Sequence, residues 1–141
     1  MINDVKILVV TNGENGEKIS KCLEKLSTKI RGNVYLVYVK DIEPYPAEVL
    51  IELLKQYERI KRRGQKVLED LAEKIKELGF KVDILGIQCG IVSERISKIE
   101  EQVNPDIILV EYEYSRIKRL FGDCIFDLVL EESRAPVLVA K

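Results

Sequence analysis

Apolar positions along the chain fall into two alternating rhythms. Val5-Lys6-Ile7-Leu8-Val9-Val10 is a near-continuous β-branched run that ends at Thr11-Asn12-Gly13. Such a run reads as a strand buried on both faces, feeding a turn. Ile19, Cys22, Leu23, Leu26 and Ile30 then recur at helical spacing, and Gly32 follows as a stop. Asn33 to Val39 is a second strand. Asp41-Ile42-Glu43-Pro44-Tyr45-Pro46 cannot extend it, because proline removes ladder donors. A long helical stretch follows from about Ala47 to Leu78. Gly64 inside it is expected to mark a bend, at about 1 kcal/mol relative to Ala, and Gly79 closes it.

Phe80 to Ile87 is a third strand, whose Lys81, Val82, Asp83, Ile84 alternation suggests the wet face of an edge strand. Cys89-Gly90 reads as a turn, Ile91 to Val103 as a short helix, and Asn104-Pro105 as its stop. Asp106 to Val110 has the look of a central buried strand. A fourth helix carries Leu120, Phe121, Cys124, Ile125, Leu128 and Val129, and Ala135 to Ala140 is a fifth strand. The βαβαβαβαβ order gives an α/β fold, a three-layer open parallel five-stranded sheet with helices on both faces and right-handed crossovers. With 141 residues and no linker or repeat, residues 1–141 read as a single domain.

Composition narrows the chemistry. At 46% apolar and 33% charged residues, the chain carries too much core material to be disordered. Lys+Arg 23 against Asp+Glu 24 leaves a net charge of -1, without the basic excess of a nucleic-acid binder. No apolar run approaches the ~18 residues of a membrane span, and the N-terminus lacks a signal-peptide layout. There is no histidine, which removes Ser-His and Cys-His nucleophile systems and the commonest metal ligand. Cys22, Cys89 and Cys124 are odd in number and scattered, so they read as reduced thiols of a cytoplasmic protein. Cys22 and Cys124 are expected in the core, and Cys89 at an exposed strand end. Abundant Lys, Glu and Ile lean towards a thermophilic source.

In an open parallel sheet, ligands bind beyond the C-terminal strand ends, where strand order reverses. The segments of interest are therefore Thr11 to Gly16, Lys40-Asp41, Gln88 to Gly90 and Glu111 to Asp123. Thr11 to Gly16 offers two glycines before a helix, either a phosphate turn or a plain strand-to-helix turn. It fits neither GxxxxGK[ST] nor GxGxxG, and Glu14 and Glu17 would repel phosphate. Arg116, Lys118 and Arg119 could hold a phosphate or carboxylate, or could offset Glu111, Glu113 and Asp123. Arg59 and Lys61-Arg62-Arg63 read as a solvated helical turn, supported by Glu58 four residues before Arg62. If the fourth strand continues, Tyr112 and Tyr114 share one face and Glu111 and Glu113 the other. The acids are a weak metal signal without further ligands. A phosphoacceptor receiver would need an acidic pair after the first strand and an Asp ending the third, which Asn12 and Gln88-Cys89 do not supply.

Five segments in order resemble the universal stress protein family. Ile7 to Val10 through Asn12-Gly13 is similar to its I-L-V-P-x-D-G opening, and Gly90 with Ile91 to Ile99 to its glycine and helix. Asp106-Ile107-Ile108-Leu109-Val110 is similar to its D-L-I-V-M. Lys118-Arg119-Leu120-Phe121-Gly122 is similar to K-R-L-L-G, and Ala135-Pro136-Val137-Leu138-Val139 to C-P-V-L-V. The resemblance implies a Rossmann-like, adenine nucleotide alpha hydrolase-like fold with strand order 3-2-1-4-5. It implies a nucleotide cleft around Asn12, Gly13, Val39, Gly90, Val110, Arg116, Gly122 and Asp123. It also implies a homodimer joined through the edge strand Val137, Leu138, Val139 and Ala140.

The departures from the family pattern bear on function. Members that bind ATP carry Gly, two residues, Gly, about nine residues, then Gly-Ser or Gly-Thr. Here the first two glycine positions hold Glu111 and Tyr114, and Asp123 stands where Ser or Thr is expected. Asn12 occupies the place of the family's adenine-contacting Asp. Side chains then fill space needed by backbone N–H groups. A carboxylate beside a phosphate costs roughly 4 kcal/mol per close pair at an effective dielectric near 20. The expectation is a homodimeric binding or regulatory module, not an enzyme, without ATP or Mg in the family's usual mode and with unidentified protein partners. The alternative is an adenine-nucleotide switch with a rearranged cleft and slow hydrolysis.

Overall fold

A computed structural model describes residues 4–11, 13, 16–41, 46–112 and 125–141, apart from the side chains of Asp41, Leu50, Leu53 and Cys89. The elements are β1 (Val5–Thr11), α1 (Glu17–Ser27), β2 (Gly32–Asp41), α2 (Ala47–Lys55) and α3 (Tyr57–Glu77). They continue with β3 (Lys81–Gly90), α4 (Val92–Val103), β4 (Ile107–Glu111), α5 (Ile125–Glu132) and β5 (Val137–Ala140). The five strands form one sheet in the order β3-β2-β1-β4-β5, and every pairing is parallel. This is the strand order that the family resemblance implies.

Each face of the sheet has its own core. Ile7, Val9, Val34 and Leu36 pack with Ile19 and Leu23 of α1 and with Leu68, Leu71 and Ile75 of α3. Leu8, Val10, Val37, Val39, Ile108 and Val110 pack with Val92, Ile96 and Ile99 of α4 and Phe126 and Val129 of α5. Adjacent residues of β1 thus enter opposite cores, which is why its sequence shows no polar alternation. Cys22 is half-buried against the α1/α3 core, and burial raises its thiol pKa. Cys124 lies outside the described residues.

Three expectations are corrected. The long helical stretch divides at Gln56 (φ -94°, ψ 3°), where no glycine or proline stands, and not at Gly64. Gly64 is instead a buried seat inside α3. A Cβ there would lie 2.6 Å from Ile87 Cδ1 and 2.8 Å from Tyr38 Cδ2. The same Tyr38 ring covers Gly13, whose Cβ would fall 2.6 Å from its Cζ. Tyr38 therefore fills a gap that only two glycines leave open, pinning the β1–α1 turn to α3. The second correction concerns Cys89-Gly90, which continues β3 and pairs with Lys40 and Asp41. The strand reaches that far by a register shift after Ile84, with Gly86 at φ +84°. Third, no Glu58–Arg62 ion pair forms. The ion pairs among the described residues are Lys21–Glu17 (3.0 Å) and Lys55–Glu52 (3.4 Å), while Lys61 lies 6.0 Å over the Tyr57 ring.

Gly64→Ala sets helix propensity against packing. The substitution gains about 1 kcal/mol of helix propensity but forces Tyr38 and Ile87 to move, so a net loss of about 1–2 kcal/mol is expected. Urea unfolding of the two proteins measures it, and a more stable variant would show that Tyr38 is not held as described.

Candidate functional site

The chain leaves β1 towards β2 on one side and returns to β4 on the other. The crevice at this reversal is framed by the C-terminal ends of β1 and β4. The ladder pairs Val10 with Val110, so Thr11 and Glu111 are the next residues on the two strands. By strand parity they follow Val9 and Leu109 towards the α1/α3 face. Thr11 is 0% exposed and Glu111 6% exposed, so the floor of the crevice on this side is polar and filled.

Thr11 Oγ1 accepts a hydrogen bond from the Gly13 N–H (3.3 Å), closing a tight local turn at φ +83°. α1 starts at Gly16 without a side-chain cap, and its first turn brings Lys18 over the crevice. Lys18 Nζ donates to the Tyr112 carbonyl at 3.1 Å, joining α1 to the end of β4. Tyr112 N–H in turn donates to the Ala140 carbonyl at 2.7 Å. Its ring meets Phe126 edge-on, with centroids 5.3 Å apart. Lys21 holds the carboxyl of Glu17 below its ordinary pKa, so this first turn is already internally paired.

The expected site residues do not all meet. Val39 and Val110 lie near the ends of β2 and β4, two residues and one residue before the last, and their side chains belong to the α4/α5 core. Only their backbone can face a ligand. Gly13 is in the turn after β1. Gly90 ends β3, two strands away from β1, which is about 10 Å at sheet spacing. The Arg95 side chain lies against it, with Nε 2.8 Å from where a Cβ would stand. Asn12, Arg116, Gly122 and Asp123 lie outside the described residues, as do Glu113, Tyr114, Lys118 and Arg119. Among the described residues, no three His, Cys, Asp or Glu side chains are grouped to hold a metal ion. No described helix is long and apolar enough to cross a membrane. In the sequence Thr11 stood out only as the start of a candidate turn, and Lys18 not at all. Their signal was positional: one ends the central strand and the other sits in the first helical turn after it.

A doubly wound parallel sheet with its crevice at the β1/β4 reversal defines a Rossmann-like α/β protein. The family model of the universal stress protein family matches residues 5–141, and the chain belongs to that family. It is 26% identical to hypothetical protein MJ0577, with a TM-score of 0.77, covering 99% of this chain and 97% of that one. It is also 26% identical to hypothetical protein PH0823, with a TM-score of 0.71 and coverage of 97% and 95%. A universal stress protein family member from Arabidopsis thaliana, solved with AMP bound, is 18% identical with a TM-score of 0.61, covering 97% and 91%. A search of curated protein sequences finds no match.

Thr11→Val removes the acceptor for the Gly13 N–H while keeping the side chain's shape. Faster amide exchange at Gly13 and a stability loss of about 1 kcal/mol are expected. Unchanged exchange would show that the turn is set by the backbone alone.

Proposed function

We propose that this chain is a homodimeric binding or regulatory module of the cytoplasm that works through protein contacts, without catalysis and without ATP in the family's usual mode. The observation that carries this reading is Glu111. By the resemblance it stands at the first glycine position of the family's phosphate loop, and it is an almost fully buried strand residue. A side chain there occupies space that a phosphate-cradling backbone needs.

Dimerisation is supported by the unlike edges of the sheet. β3 carries Lys81, Asp83 and a bulge at Gly86, devices that discourage edge pairing. β5 reads Val137-Leu138-Val139-Ala140, without charge, proline or bulge. A two-fold pairing of β5 with its copy would satisfy that edge.

A nucleotide switch is the second reading, favoured by the AMP-bound Arabidopsis relative. It would use Asn12, Gly13, the Val39 and Val110 backbones, Gly90, Arg116, Gly122 and Asp123.

Two measurements test the proposal. Denatured, purified protein is expected to release no stoichiometric adenine nucleotide to mass spectrometry, and MgATP titration to give no low-micromolar affinity. Bound nucleotide in either assay would favour the switch. Sedimentation at micromolar concentration is expected to give twice the 16.2 kDa chain mass, and a species at the single-chain mass would remove the dimer.

A further inference from the structure

We infer that Glu100 is a positioning residue for the β5 edge, setting the strand in the line it needs to pair with a second copy of the chain. This rests on the dimer reading above. Four residues, 133–136, connect α5 to β5, and the partner of each of their N–H groups is known. Ser133 N–H donates to the Val129 carbonyl at 3.1 Å, ending α5. Arg134 and Ala135 N–H both donate to one oxygen of Glu100, Oε1, at 2.8 and 2.7 Å. Pro136 has no N–H, and its carbonyl accepts from Ile108 N–H at 2.9 Å to begin the β4–β5 ladder. The turn into β5 is therefore held from α4 by a single carboxylate.

The placement is specific. The buried face of α4 is otherwise made by Val92, Ile96, Ile99 and Val103, and Glu100 is its one acidic member, 8% exposed. Burying a carboxylate is costly unless its oxygens are bonded, so an apolar residue would serve simple packing better. Beside it lies a cavity of about 430 Å³ lined by Ser97, Glu101, Asn104 and Arg134. Without Glu100 the turn has room to shift into that space. β5 is only four residues long and, among the described residues, pairs with β4 alone, so a shift at its start changes the whole edge offered to a partner.

The test compares dimer dissociation constants by sedimentation for wild type, Glu100→Ala, Glu100→Gln and the core control Leu68→Ala. Glu100→Ala is expected to weaken the dimer about tenfold or more. Glu100→Gln, whose amide oxygen can still accept both bonds, is expected to stay within about threefold of wild type. Leu68→Ala is expected to lower the unfolding midpoint but leave the dimer constant unchanged. A wild type that stays monomeric removes the dimer reading itself. A dimeric wild type with Glu100→Ala unchanged, or with Leu68→Ala equally weakened, overturns this inference while leaving that reading in place. If Glu100→Ala fails to fold, amide exchange on the wild type decides. Arg134 and Ala135 N–H protection should persist in diluted monomer, and protection seen only in the dimer would overturn the inference.

Discussion

Burial of β1 on both faces is the constraint on which the rest of the structure depends. β1 is bonded to β2 on one side and β4 on the other. Its alternate residues enter the two cores. A strand held in this way has no freedom of register, because a slip by one residue would exchange the two cores. The position of the crevice follows directly. The chain must leave β1 in one direction and return to β4 in the other, so the two strand ends frame the crevice. The exposed edge follows too, since β5 is added last and pairs with β4 alone.

Much of this was legible in the sequence, for a physical reason. The Val5–Val10 and Asp106–Val110 runs report local burial, and burial in a parallel sheet marks a strand as central. The Lys81–Ile84 alternation reports the edge less faithfully, since Ile84 is itself exposed. What was not legible depends on distant contacts. Gly64 looked like a helix bend because its partner, the Tyr38 ring, comes from another element. Gly90 looked like a turn because the bulge at Gly86, which lets β3 run on beside Asp41, needs φ +84° and leaves no other local mark. The helix division at Gln56 has no signal of its own, since the residue is an ordinary helix former.

The candidate site was legible in outline and less so in detail. The resemblance pointed to the C-terminal side of the sheet, where Val39 and Val110 lie near the ends of β2 and β4 and Gly13 follows β1. It did not show that Thr11 and Glu111 form a buried polar floor there, or that Lys18 spans from α1 to Tyr112. Each of these depends on which face a terminal strand residue takes, and that is decided only once β4 is seen to continue through Glu111. Glu111 is an extension of the strand, paired with Ala140 in the ladder and almost fully buried.

Glu100 and Glu111 present one problem in two places. Both are carboxylates withdrawn from water at the margins of a sheet whose interior is otherwise apolar, and both stand next to β5 or the strand that pairs with it. Buried ionisable groups are weak sources of stability, because desolvation offsets much of what their bonds return. Their advantage is geometric, since a carboxylate accepts bonds only from donors placed around its oxygens. At Glu100 those donors are two successive backbone N–H groups, so the group constrains the path of the chain in a way no packed aliphatic side chain could. A short strand with one neighbour needs such a constraint more than any other in the sheet. β1, flanked and covered on all sides, has no residue of that kind along its core positions Ile7 to Val10. Among the described residues, buried carboxylates are therefore found where the apolar core stops supplying direction, at the two ends of the β4–β5 pair.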